Sequence, residues 1–154
     1  MNACKNPEKK ILPPGYLLIS LTLMILTYWL VPGVVIAPGP VRMFGVVFVV
    51  LGILLNIASK KAMKKAQTPV SPLAKTTSLI TWGVYSWTRN PMYLGLVLLL
   101  VGVSVIMGNL IPMIITLLFA LIMHNRFVKM EEEKLAAQFK EEWYDYRKST
   151  RRWL

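Results

Sequence analysis

Four apolar segments, separated by connections that are alternately uncharged and strongly basic, constrain this chain more than any motif does. A helix needs roughly 20 mostly apolar residues to cross a bilayer core. Segments at about residues 16–36, 41–58, 92–107 and 110–128 approach that length. The first is interrupted late by Pro32-Gly33. The last two are short and touch at Gly108-Asn109, which reads as a tight helical hairpin completed by tilt or by snorkelling flanks. With 55% of the 154 residues hydrophobic, the expected class is an all-α integral membrane protein. It has about four transmembrane helices in a single domain spanning residues 1–154, followed by a C-terminal amphipathic helix.

The distribution of cations predicts the orientation. Lys5, Lys9 and Lys10 precede the first span, and only Arg42 lies near the turn between the first and second. Lys60, Lys61, Lys64, Lys65, Lys75 and Arg89 fill the connection at residues 60–89. The turn between the third and fourth spans carries no charge, whereas Arg126, Lys129, Lys134, Lys140, Arg147, Lys148, Arg151 and Arg152 follow the fourth. This alternation predicts both termini on the cytoplasmic side. It also accounts for the net charge of +11, together with attraction to anionic lipid head groups. Nucleic acid is not an expected partner, because the cations flank membrane spans rather than cover one soluble face. The lipid membrane is.

Several function classes fall away. The first span is too long for a signal-peptide core and no small-residue cleavage site follows it cleanly, so the N-terminus reads as retained. Cys4, the single cysteine, excludes a disulfide framework and a cysteine metal site, and the single histidine, His124, argues against a histidine cluster. No metal is expected. No strand, glycine-rich loop and helix succession marks a dinucleotide domain. Any cofactor must therefore be held by the membrane helices and their flanks.

The segment Gly83-Val84-Tyr85-Ser86-Trp87-Thr88-Arg89-Asn90-Pro91-Met92-Tyr93-Leu94-Gly95 runs from a basic, aromatic loop directly into the third span. Pro91 suits the first helical position and Asn90 suits the N-cap before it. Such a helix start offers backbone N–H groups and the positive dipole end to an anion, although Tyr, Trp and Arg also serve as interfacial anchors. Farther on, Leu135, Phe139, Trp143 and Tyr146 recur at helical spacing over residues 129–150. That pattern suits a membrane-surface helix with Trp143 and Trp153 as anchors. Glu131-Glu132-Glu133 suits the positive end of a helix. Yet an acidic cluster beside the fourth span is repelled by anionic lipid. If the third and fourth spans form a hairpin, it comes close to Arg89.

These two blocks together resemble the isoprenylcysteine carboxyl methyltransferases and, more broadly, the membrane methyltransferases that include the phospholipid N-methyltransferases. The resemblance rests on Gly83 to Trp87 with Arg89-x-Pro91-x-Tyr93-x-Gly95. It extends to Glu131-Glu132-x-x-Leu135, Phe139-x-Glu141-Glu142 and Tyr146, with His124 seven residues ahead of the acidic pair. It covers about the C-terminal half of the chain. Asn90 stands where the carboxyl methyltransferases usually carry histidine, and Lys140 and Trp143 replace a usual glycine and tyrosine.

The resemblance implies S-adenosylmethionine as the methyl donor. It implies Arg89 and Glu132 as catalytic residues and Tyr85, Asn90, Pro91, Tyr93, Leu94, Gly95, His124, Glu131 and Glu132 around the cofactor. Arg89 would hold a carboxylate acceptor through its guanidinium fork, whereas an amine or thiol acceptor would need Glu132 or His124 as base. The acceptor is expected to be lipophilic and to come sideways from the bilayer. A prenylcysteine carboxylate is favoured, with a phospholipid amine, a small thiol or a non-enzymatic scaffold as alternatives. The membrane would be the inner membrane in a prokaryote or the endoplasmic reticulum in a eukaryote. Gly95 and Gly102, seven apart on one face, permit either close helix packing or an opening for a chain.

Overall fold

The computed structural model describes residues 12–31, 33–36, 38–70 and 76–154. Cys4, Lys5, Lys9, Lys10, Pro32, Pro72 and Lys75 lie outside the described residues. The architecture is all-helical: α1 (Pro13–Leu30), a short α2 (Gly39–Arg42), α3 (Phe44–Lys65), α4 (Pro91–Met107), α5 (Leu110–Ile122) and α6 (Lys129–Ser149). The chain is an integral membrane protein. Three of its helical runs are long and apolar enough to cross a bilayer, and α4 is a shorter apolar helix. Large apolar side chains such as Leu18, Leu30, Phe44, Val46, Leu117 and Leu118 point outward from α1, α3 and α5, as lipid contact requires.

Each helix end follows from local sequence. Prolines occupy the first turns of α1 and α4, where a missing N–H is harmless. Helix α1 stops at Leu30, six residues before the end of the predicted span, and Val31 is already extended. Helix α4 ends at Gly108, whose left-handed backbone (φ 66°) allows the chain to turn back at once, and the Asn109 side chain accepts the Ile111 N–H to start α5. This hairpin pairs with the α1–α2 connection through Ile36 N–H to Gly108 O (2.9 Å) and Leu110 N–H to Val34 O (3.1 Å). The two weakly charged connections therefore sit together at one end. The strongly basic connection and α6 occupy the other.

Helices α3 and α4 pack backbone against backbone, and glycine is the reason. A Cβ on Gly102 would stand 2.5 Å from the Gly45 carbonyl oxygen and 2.6 Å from the Val49 nitrogen. One on Gly95 would stand 2.8 Å from the Gly52 carbonyl oxygen. Pairs seven residues apart on both antiparallel helices thus bring backbone against backbone. Gly95 and Gly102 are packing residues rather than an opening. Behind them, Met24, Leu100, Phe119, Met123 and Phe127 form the main core, with α4 at its centre.

The C-terminal helix differs from the sequence expectation in two respects. A π-helical stretch, Met123–Val128, joins α5 to α6, so the helical run that begins at Leu110 continues unbroken as far as a kink at Lys140. Glu131-Glu132-Glu133 therefore does not open a helix, and the dipole explanation of that triplet fails. Trp143 is not a membrane anchor either: it is 2% exposed and packs edge-on against buried Tyr146. Midway, Lys140 adopts φ 45° and ψ −110°, a conformation natural to glycine and strained for lysine. This is the position where the resembled family usually has glycine.

Candidate active site

The site lies at the basic end, where the chain before α4, the start of α6 and the C-terminal segment converge. A 3₁₀ turn, Gly83–Ser86, opens on a left-handed glycine (φ 64°) and brings Tyr85 inward, where its carbonyl accepts the Tyr146 hydroxyl at 2.6 Å. The next residues are tied to the C-terminus. Arg89 N–H donates to Arg151 O (2.9 Å), and the Thr88 hydroxyl and Asn90 amide donate to Arg152 O at 3.0 and 3.2 Å. Residues 150–153 thus form a strap across the start of α4.

Glu132 is the electrostatic centre. Its carboxylate, 9% exposed, receives Arg152 Nη2 at 2.7 Å and Arg152 Nε at 3.0 Å, Arg89 Nη2 and Nε at 3.2 Å, and Asn90 Nδ2 at 3.3 Å. Burial alone would push this carboxyl up. The Arg152 hydrogen bonds and the Arg89 charge outweigh it and hold the group below the usual carboxylate range. Arg89 spends its remaining donors on the carbonyls of Thr150 (2.7 Å) and Arg147 (3.1 Å) and lies over the Trp143 ring at 5.6 Å. Its guanidinium, 7% exposed, is engaged by protein acceptors.

Glu131 has a different environment. Its carboxylate accepts only the Tyr93 hydroxyl (2.9 Å) among the described hydrogen bonds. Burial raises its proton affinity above the ordinary value, against the pull of the Tyr93 hydrogen bond and of Lys134. Two hollows meet at this residue. A narrow polar cleft of about 40 Å³ is lined by Tyr85, Arg89, Asn90, Glu131, Glu132 and Trp143, among others. On the other side an apolar cavity of about 260 Å³ lies between the start of α1 (Leu12, Pro13), α3 (Asn56, Lys60) and α4 (Met92, Tyr93). Burial and the adjacent Glu131 keep the Tyr85 phenol above its ordinary range, hence neutral.

The candidates named from sequence are therefore partly assembled. Tyr85, Arg89, Asn90, Tyr93, Glu131 and Glu132 line one or both hollows. Asn90 does stand at the N-cap position, but its side chain caps nothing and reaches Glu132 and Arg152 instead. Pro91, Leu94 and Gly95 are buried and line neither hollow; Gly95 faces Gly52 and Asn56. His124 also stands apart, in the π-helical stretch, where its Nδ1 accepts the Trp153 indole N–H at 3.4 Å. The sequence did not reveal Thr88, Arg152 or the strap. Arg151-Arg152-Trp153 reads as ordinary interfacial sequence, and the strap's contacts are made largely by backbone carbonyls.

Comparison with known proteins converges on one group. A model of the phospholipid methyltransferase family matches residues 41–142. A protein-S-isoprenylcysteine O-methyltransferase of Schizosaccharomyces pombe is 33% identical over 73 residues, covering 46% of this chain and 30% of that protein. The chain thus aligns with less than a third of that relative's length. No solved structure gives a significant match.

Proposed function

The chain belongs to the phospholipid methyltransferase family, and we propose that it is an integral-membrane methyltransferase that takes its methyl group from S-adenosylmethionine. One observation carries this reading: two segments more than 40 residues apart bring Arg89, Asn90, Glu131 and Glu132 to one polar cleft, and Glu131 also lines a separate apolar cavity. The donor set fits the cofactor. Its ammonium and ribose hydroxyls suit carboxylates, its sulfonium suits aromatic faces such as Tyr85, and its adenosine needs partly apolar walls such as Leu135 and Trp143. When bound, the cofactor supplies an electrophilic methyl group. The protein's own part is to exclude water and align the acceptor with that carbon.

The acceptor is lipophilic and reaches the apolar cavity from the bilayer. The Schizosaccharomyces pombe relative supports a prenylcysteine carboxylate as acceptor. A second reading, an amine or thiol acceptor, is favoured by the engagement of Arg89 with Glu132, Thr150 and Arg147, which occupies its fork with protein acceptors. Calorimetry should detect S-adenosylhomocysteine binding, and labelled methyl should pass to at least one of a prenylcysteine, phosphatidylethanolamine or a long-chain thiol. Absence of binding in both detergent and lipid would remove the reading.

The basic end, with the site, faces the cytoplasm on this proposal. Reporter fusions at residues 12 and 154 should both read as cytoplasmic; either one outside would overturn the orientation.

A further inference from the structure

We infer that the groove between the last turns of α3 and the 3₁₀ turn before α4 seats the head group of an anionic phospholipid, whose acyl chains lie along the lipid-facing side of α3. The groove, of about 300 Å³, is lined by Ala58, Lys61, Ala62 and Lys65 from α3 and by Trp82 and Val84 on the other wall. It shares no lining residue with the polar cleft or the apolar cavity. Met63 and Tyr85 line the cleft, and Lys60 lines the cavity. The groove is therefore separate from the site that holds the acidic pair.

Charge argues for an anion here. Lys61 and Lys65 stand one turn apart on the helix, where like charges repel each other. Neither has an ion pair among the described residues. Residues 9–130 of the sequence contain no aspartate or glutamate to supply one. The negative end of the α3 dipole explains why lysines suit these turns. It does not explain the groove or the placement of Lys65, whose Nζ lies 5.1 Å from the centre of the Trp82 ring and donates to no helix carbonyl among the described residues. The ring holds this ammonium at the groove wall, so it has less freedom to lose on meeting a phosphate.

Depth identifies the anion as a lipid's. Val50, Leu54 and Ile57 are exposed on the face of α3 that leads up to Lys61, as lipid contact requires. Trp82, also exposed, is of the type that settles at the head-group level. The groove thus sits where the hydrocarbon layer gives way to head groups. A phosphate bound there can carry chains that the apolar face of α3 receives, whereas a free phosphate would leave that face unused.

The test uses the full-length protein in neutral detergent. Native mass spectrometry counts bound lipid as dioleoylphosphatidylglycerol or dioleoylphosphatidylcholine is titrated. Phosphatidylglycerol should bind at least about tenfold more tightly than phosphatidylcholine, the scale set by two lysines near a charged surface. Lys61→Ala/Lys65→Ala should abolish that preference. Lys64→Ala/Lys148→Ala removes the same charge from outside the groove and should keep the affinity within about threefold. Lys61→Arg/Lys65→Arg should retain the preference, and a melting midpoint equal to wild type in each double variant shows that lost binding is not lost folding. Equal affinity for the two lipids, or equal losses in the two double-alanine variants, would overturn the inference in favour of diffuse attraction. Displacement of phosphatidylglycerol by millimolar inorganic phosphate would overturn it in favour of a free anion.

Discussion

Glu132→Ala should both destabilise the protein and abolish S-adenosylhomocysteine binding. From sequence alone, a site at a helix end predicts weaker binding with an intact fold. The structure overturns that expectation, because Glu132 lies inside a continuous helical run and is buried under two guanidiniums. Deleting it strands the Arg89 charge, 7% exposed, without the one anionic partner it has among the described residues. Breaking one side of a buried pair costs about 3–5 kcal/mol, which corresponds to a melting midpoint lower by roughly 10 °C for a chain of this size. A thermal melt in lipid or detergent, with calorimetry below the new midpoint, measures both effects. A midpoint within about 2 °C of wild type, less than one kcal/mol on that scale, would show that Glu132 does not anchor the site.

The sign of the acid response follows from the same contacts. The folded protein holds the Glu132 carboxyl below its unfolded value of about 4.3. Its stabilisation is therefore complete above that pH and is lost as pH falls through the lower folded value. Glu131, raised by burial, has the opposite sign: its ionisation opposes folding as pH rises through the interval between its unfolded and folded values. Adjacent carboxyls thus have opposite linkage. That division leaves one as a fixed anion and the other as a group able to exchange a proton.

Much of this arrangement was legible in sequence because it depends on period, charge and small residues. The turn at Gly108-Asn109 follows from a left-handed glycine and a capping asparagine. The packing of α3 on α4 follows from glycines seven apart. The meeting of Arg89 with Glu132 follows from a hairpin whose two outer ends lie on the same side. Other features depend on contacts between distant segments. The fourth span and the C-terminal helix read as separate elements meeting at residues 128–129, yet no proline or glycine interrupts residues 113–139, and the helix continues through a π-helical stretch. Asn90 has the right residue type for a cap, but its side chain accepts no helix N–H, and its Nδ2 donates to Glu132 and to the Arg152 carbonyl. The strap is the least legible part, since carbonyl oxygens have no sequence signature.

Arg89→Lys should lose both stability and S-adenosylhomocysteine binding, and therefore turnover with every acceptor. Were Arg89 an acceptor clamp, lysine would keep the charge but lose the fork, and turnover would fall while cofactor binding persisted. In the structure the fork is used internally. Nε and Nη2 hold Glu132, and Nη1 bridges the carbonyls of Arg147 and Thr150, which fixes the strap over the start of α4. An ammonium can replace the ion pair but cannot reach all of these acceptors from one point, and it loses the position of the guanidinium over the Trp143 ring. Unsatisfied buried carbonyls cost about 1–3 kcal/mol each, so the variant should melt earlier than wild type by several degrees. Its S-adenosylhomocysteine affinity should fall at least about tenfold, on the order of 1.4 kcal/mol. Arg89→Lys with wild-type affinity and melting temperature, but no transfer to a prenylcysteine, would return the arginine to the acceptor and show that the strap needs no such anchor.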